Sequence, residues 1–451
     1  MKRYPVYKDS GIDWLGEIPE HWQVIRLKYL IAEKLKYGAN EEAILEDKNL
    51  PRYIRITDFD MEGKLKNDTF KSLEINVARD YLLSEGDILF ARSGATVGKT
   101  FQFKNYQGLA CFAGYLIKAV PKKKLIFSDY LYFFTKSGAY DFWKTAIFSQ
   151  ATIQNIGADK YSCLSVPVPP IQEQKTIAHF LDYKIEQIEQ LIRNKQRLIK
   201  LLNEQKIAII NRAVTKGINP NAPMKHSGIE WLGEIPAHWE VKRLGWICNE
   251  INDINHEMPP AVAEGVPFLS AKDLLDDGTL NFTYDIKMIS EEDFQRLSKK
   301  VLPQKDDIIY SRIGARLGKA RRVKTNKKFL ISYSCCVVRV KQETAIPELI
   351  RLILDSEFVL TEAKLRTVGV GVPDLGLREI ARFPIPLPPM EEQEKITKYL
   401  IQEIANIDLA IAQIEKEIEL IQEYRTTLIS DAVTGKIDVR STSAIETTLT
   451  A

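Results

Sequence analysis

Apolar residues recur at steps of four and three from position 181. Leu181, Ile185, Ile188, Ile192, Ile199 and Leu202 fall on one seam, which Lys195 and Lys206 interrupt and Ile209 and Ala213 complete. The same rhythm returns in Leu400, Ile404, Ile407, Ile411, Ile414, Ile418 and Ile421, with Arg425 ahead of Leu428 and Ala432. A mean step of 3.5 residues is a heptad seam. Each segment is free of Pro and Gly between an opening "PP" and a closing "AVT", so two long helices are predicted, over 171–214 and 390–434. The first would be about 65 Å long. So long an apolar stripe is not stable in water, and the two helices are expected to pair with each other. The pairing should be antiparallel, because each helix must lead the chain out of one globular domain and into the other. Two separate helices, each packed on its own domain, are the alternative.

Outside the helices the pattern changes to short β-rich runs ("DILFA", "YLIKAV", "FLISYSCCVVRV") mixed with helical stretches such as "DYLYFFTKSGAYDFWKTA" and dense turn signals. The fold class is α+β, with two globular domains separated by a pair of long antiparallel coiled-coil helices. The partition predicted is a first domain over 1–170, a helix over 171–215, a second domain over 216–389, a helix over 390–436 and a disordered tail over 437–451.

The chain is a duplication. "SGIDWLGEIPEHWQVIRL" (10–27) returns as "SGIEWLGEIPAHWEVKRL" (227–244), "EGDILFARSGATVGK" (85–99) as "KDDIIYSRIGARLGK" (305–319), "VPVPPIQEQ" (166–174) as "IPLPPMEEQ" (385–393) and "AVTKGI" (213–218) as "AVTGKI" (432–437). Like domains on equal helices imply a pseudo-two-fold axis, with the domains at opposite ends of the pair. In the repeated opening, Trp, Ile and Leu are expected in the core and His21 and His238 in a structural role beside Trp22 and Trp239.

Charge changes this picture only when divided by segment. The formal net charge is +3, but residues 171–215 carry 8 basic and 5 acidic side chains whereas 390–451 carry 6 and 12, which favours pairing of the helices. No stretch approaches the ~18 apolar residues of a membrane span, and no secretory signal opens the chain, so a cytoplasmic protein without membrane contact is expected. Five cysteines without a CxxC pair and five scattered histidines give no metal site.

Catalytic motifs are missing. The chain has no GxGxxG, no GxSxG and no NPPY-type methyltransferase loop. "RSGATVGKT" (92–100) imitates the end of a phosphate-cradling loop, but Ser93 stands where the first glycine should be, and in the second copy Ile313 and Ala320 break the pattern further. A glycine-punctuated turn between two strands accounts for both copies. The basic runs are more informative: residues 312–328 carry eight basic side chains and no acid, and residues 92–108 carry three and no acid. Such runs can reach phosphates without reading sequence. Arg92, Lys99, Arg312, Arg316, Lys319, Arg321 and Arg322 are the candidate phosphate contacts.

The "SGIxWLGEIPxHWxVxRL" openings, "DIxxxRxGAxxGK" segments, "PxPPxxEQ" helix entries and "AVTxxI" exits, in duplicated order, resemble the specificity subunit of type I restriction-modification systems through about Arg440. The resemblance implies a non-catalytic DNA-reading subunit with two target recognition domains, each reading one half of an asymmetric bipartite site on double-stranded DNA. It implies helices that set the gap between half-sites and dock two methyltransferase (modification) subunits. It also places S-adenosylmethionine, and ATP and Mg for the restriction/translocase subunits, on partner chains and none here. A coiled-coil scaffold joining two protein-binding domains is the rival reading, and a nucleotide-dependent enzyme a weaker third.

Overall fold

The computed structural model describes residues 2–60, 63–94, 96–148, 155–367 and 373–440. The chain forms two compact units. One holds Met1–Lys195 with the C-terminal segment from Glu415, and the other holds Gln196–Ile414. Helix α1 (Ile171–Lys216) and helix α2 (Met390–Val433) begin one residue after their "PP" pairs, at the starts read from the sequence. The compact units therefore cut across the sequence partition, since each takes part of both helices. The head of α1 shares a unit with the tail of α2, and the tail of α1 with the head of α2, so the helices run antiparallel.

Every seam residue named above is buried or half-buried, while the positions between them are mostly exposed. In the first unit Leu181, Ile188 and Ile192 join Leu428, Ile429, Ala432 and Val433 in one core with Ile185, Ile418 and Ile421 at its edge. In the second unit Leu400 and Ile396 do the same with Ala213 and Val214, flanked by Ile209 and Ile404. Full burial of one such side chain is worth about 1.5–3 kcal/mol, which is why a pattern of this length fixes the pairing. The two lysines that break the first seam are not orphaned: Lys195 pairs with Glu417, and Lys206 Nζ lies 2.6 Å from Asp408 Oδ1.

Each unit carries the same four-stranded antiparallel sheet. In the first, β1 (Lys36–Tyr37), β2 (Ile88–Ala91), β3 (Thr100–Gln102) and β4 (Leu116–Ala119) lie in the order β1-β4-β2-β3. In the second, β5 (Cys248–Asn252), β6 (Ile308–Ser311), β7 (Ala320–Arg322) and β8 (Cys335–Val340) lie as β5-β8-β6-β7. Ile88 faces Gln102 and Ala119 across the ladder as Ile308 faces Arg322 and Val338. The resemblance to a phosphate loop ends here. Residues 92–99 form a hairpin turn between β2 and β3 rather than a strand-to-helix turn, and Thr100 gives its hydroxyl to a buried hydrogen bond with Thr135 (2.8 Å).

The repeated opening phrase is a clasp for the helix entries. Trp22 donates its indole N–H to Glu173 (3.1 Å), His21 Nε2 lies 2.8 Å from the same carboxylate and the Tyr4 hydroxyl donates to it (2.7 Å). Trp239 and His238 meet Glu392 at 3.0 and 2.6 Å. The neighbouring Gln174 and Gln393 accept the N–H of Phe127 and Ile346, respectively, and donate back to Pro169 and Pro388 carbonyls. Thus the "EQ" of each helix entry ties the first turn to its own unit. Each helix exit is a glycine at positive φ, Gly217 (+70°) and Gly435 (+76°). A side chain at Gly435 would strike Pro19, and one at Gly217 would crowd Trp239 and Glu392. Only glycine reconciles that backbone with that approach.

One expectation is corrected. Residues 437–440 are not a disordered tail: Val439 is fully buried, Asp438 N–H donates to the Lys2 carbonyl (2.8 Å) and the Arg440 guanidinium lies 4.8 Å from the Tyr4 ring centroid. Residues 441–451, "STSAIETTLTA", lie outside the described residues.

Candidate nucleic-acid interface

The two scaffolds coincide, but what is mounted on them does not. Beyond the shared sheet, the first unit pairs Arg52–Ile54 in parallel with Ala110–Phe112 over two small cores, one around Phe59, Phe101 and Phe112 and one around Tyr53 and Cys111. The second pairs Val266–Leu269 with both Leu330–Ile331 and Met288–Ile289 over a single larger core containing Phe268, Phe294 and Val337. The variable surface is thus a distinct subdomain on a common frame.

The candidate cations sit on the hairpins β2–β3 and β6–β7, and the structure divides them. Arg321 is 1 % exposed. Its Nη1 lies 3.0 Å from Asp355 Oδ2, and its Nε donates to the Leu275 carbonyl (2.5 Å). Arg312 is 4 % exposed, and its guanidinium is held by Asp253 (2.8 Å) and Asp374 (2.7 Å). Neither can serve as the phosphate contact expected of it, because its charge is already matched inside the fold. Arg322 is half-buried between Asp306 and Glu348, both at 3.0 Å. Arg316 and Lys319 share Asp276 at 2.9 and 3.2 Å, at the surface. Burial works against the charged form of Asp276, but the hydrogen bond from Lys319 and the charges of Lys319 and Arg316 outweigh it and hold the carboxyl below its usual range. Lys328 pairs with Glu291.

In the first unit, Lys99 donates to the Phe59 carbonyl and lies over the Phe59 ring, 4.5 Å from its centroid. It lines a groove of about 900 Å³ that also gathers Lys64, Lys104, Lys136, Lys144 and Arg425, countered by Asp129, Asp141, Asp182 and Glu189. Arg92 stands apart from that groove, packed against Tyr37 at 4.8 Å. Sequence inspection did not single out Tyr37, Asp253 or Asp374 as partners of these arginines; each lies far from its arginine in the chain and reaches it through strand register.

Among the described residues no group of three His, Cys, Asp or Glu side chains is placed to hold a metal. Burial pushes the thiols of Cys111, Cys248 and Cys335 up to about 12, leaving them protonated and inert. Among the described residues no helix is long and apolar enough to cross a membrane.

A duplicated scaffold with two unlike subdomains on paired helices is matched by comparison with known proteins. The type I restriction modification DNA specificity domain matches twice, over residues 19–201 and 236–420. The chain belongs to the type I restriction-modification DNA specificity family. It is a specificity subunit with two target recognition domains. It is 23 % identical to the type I restriction enzyme MjaVIII specificity subunit of Methanocaldococcus jannaschii, over 94 % of this chain and 95 % of that one. It is also 23 % identical to the EcoKI specificity subunit of Escherichia coli, over 94 % and 90 %. Its fold resembles a solved chain of a type I restriction-modification system (TM-score 0.69, 16 % identity, 93 % of this chain and 99 % of that one). It also resembles the HsdS subunit of Thermoanaerobacter tengcongensis (TM-score 0.55, 17 % identity, 93 % and 98 %).

Proposed function

We propose that each recognition domain reads one half of an asymmetric, interrupted site on double-stranded DNA, and that the helix pair sets the gap and docks two methyltransferase subunits. One observation carries this reading: identical frames bear unlike subdomains, so the two halves present different surfaces to like geometry. Identical surfaces would imply a palindromic target, and different ones imply unlike half-sites. Unbroken helices of 46 and 44 residues suit a spacer that holds its length. Lys99, Arg316 and Lys319 remain the proposed phosphate contacts, with Arg322 secondary because two carboxylates already hold it.

Docking is supported by apolar side chains that the helix pairing leaves outside. The helical parts of the first unit expose Tyr183, Leu191, Leu420 and Tyr424, and those of the second expose Leu198, Leu201, Ile401 and Leu409. One such set per unit suits one modification subunit per unit. S-adenosylmethionine belongs on those subunits, and ATP and Mg on the restriction/translocase subunits of the full cytoplasmic complex.

Coexpression with the adjacent methyltransferase gene, followed by mapping of methylated adenines, tests the reading. A two-part motif with unlike halves and a fixed gap is expected; a palindrome, or no methylation, overturns it. Deleting one heptad from both helices should change the gap and leave the half-site letters intact. Altered letters would remove the helices from the role of spacer. The rival scaffold reading predicts no sequence-dependent methylation at all.

A further inference from the structure

Arg92 and Arg312 occupy one position of the shared frame. Each follows the strand that leads into the hairpin. Arg92 N–H donates to the Tyr115 carbonyl and its own carbonyl accepts from Ile156; Arg312 N–H donates to Ser334 and its carbonyl accepts from Leu375. An antiparallel bridge then joins Ser93 to Asn155 in the first unit and Ile313 to Asp374 in the second. Backbone equivalence is complete, so any difference in what the guanidinium meets is a difference of side chains.

Around Arg312 the site is filled and neutralised. Asp253 and Asp374 hold the guanidinium, and His256 Nε2 lies 3.0 Å from Nη2 and is stacked on Tyr333. Around Arg92 both carboxylates are replaced. Asn155 stands at the place of Asp374. Tyr37 faces Ile117 on β4, and Asp253, one step past the Asn252–Val337 pair, holds the same place in the second sheet. The Tyr37 ring backs the guanidinium at 4.8 Å and is itself fixed by the Ala158 N–H donating to its hydroxyl (3.0 Å). Among the described residues no carboxylate pairs with Arg92, and its Nε and the Asn155 Oδ1 are buried without hydrogen-bond partners. Tyr115, the neighbour that holds the Arg92 backbone, is 62 % exposed. A buried donor such as the Arg92 Nε–H left unpaired is costly unless a ligand acceptor completes it.

We infer that Arg92 is an anion-binding arginine of the first recognition domain, seated to take a phosphate of the DNA backbone, and that the equivalent site of the second domain is closed by Asp253 and Asp374. The inference rests on the DNA-reading function proposed above and deepens it. A planar, half-buried guanidinium backed by an aromatic ring and paired with no carboxylate among the described residues suits the oxyanion of a phosphodiester. The two halves of the DNA are then gripped unequally, independent of the bases they read.

The test uses the full chain assembled with its methyltransferase subunits and measures affinity for target and non-target duplexes across a salt titration. Arg92→Ala should weaken both duplexes alike, on the order of tenfold, and reduce the salt slope by about one. Asn155→Asp, which leaves the arginine in place and installs the carboxylate that closes the second site, should reproduce the loss with an unchanged melting temperature. Unaltered binding in both variants overturns the inference. A loss confined to the target duplex also overturns it, by making the contact a base edge. A wild-type complex that binds no DNA overturns the half-site reading itself, a result separate from either.

Discussion

Residues 92–108 and 312–328 begin as equivalent hairpins and end as opposites. Both are free of acid, and the second carries eight basic side chains to the first's three. Local composition therefore ranks the second run as the stronger DNA contact. The fold inverts that order at their first position. The second unit brings Asp253, Asp276, Asp306, Glu348, Asp355 and Asp374 onto the run from elsewhere in the chain, whereas Arg92 in the first packs against the Tyr37 ring. The electrostatic field of a surface depends on where every charge finishes, and a count along the chain sees only half of the pairs.

The sharpest way to break this comparison is Arg321→Ala. Arg321 faces Ile309 across its hairpin, and Phe101 faces Leu89 at the equivalent place, so a buried ion pair stands where the other unit has an aromatic core residue. Truncation removes the guanidinium bonds to Asp355 and to the Leu275 and Ala320 carbonyls, while Asp355 keeps the Ala320 N–H and Arg351, and should cost about 3 kcal/mol, seen as a lower unfolding midpoint in urea. The salt slope of DNA binding in the folded fraction should not change. A changed slope with intact stability would return Arg321 to the list of phosphate contacts.

The two clasps offer a second, smaller contrast. Glu173 has a side chain 7 % exposed and accepts from Tyr4, His21 and Trp22; Glu392 is 22 % exposed and, among the described residues, meets His238 and Trp239. Loss of charged hydrogen bonds of this kind costs about 1.5–3 kcal/mol each at most. Glu173→Ala should therefore destabilise the protein more than Glu392→Ala, by roughly one such bond. Equal losses in thermal melts would mean that the Tyr4 bond adds nothing.

The smallest effect concerns Asp87 and Asp307, equivalent residues at the starts of β2 and β6. Burial raises both carboxyls above their ordinary range, although Arg339 opposes the shift at Asp307. A raised folded value means that the native state holds the proton more tightly than the unfolded chain does. Each group's contribution is therefore fully present below the ordinary carboxylate value and is lost as pH rises through the raised one. Asp87→Asn keeps an acceptor for the Ser84 N–H and should flatten the stability profile across that window with little loss at neutral pH. Asp307→Asn weakens a partner of Arg339 and should cost more there. Denaturant melts between pH 4 and 7 distinguish the two.

How much was legible in the chain follows from the range of each interaction. The helices were legible because a heptad seam and its Pro and Gly boundaries are local. The duplicated frame was legible because the clasp, the hairpin and the helix entry each repeat as contiguous words. The partners of the arginines were not, since Asp253 lies 59 residues from Arg312 and Asp355 34 from Arg321, and only strand register brings them together. For the same reason the packing of residues 437–440 on Lys2 and Tyr4 escaped the sequence, since more than 430 residues separate them.

The sequence by itself determined that two like domains are built on a pair of apolar-seamed helices, because periodic burial and repeated motifs are properties of the chain taken in order. Only the tertiary structure decided which cations keep their charge for a partner molecule. That outcome depends on carboxylates delivered by distant segments, and on whether the guanidinium of a shared arginine meets Asp253 or Tyr37.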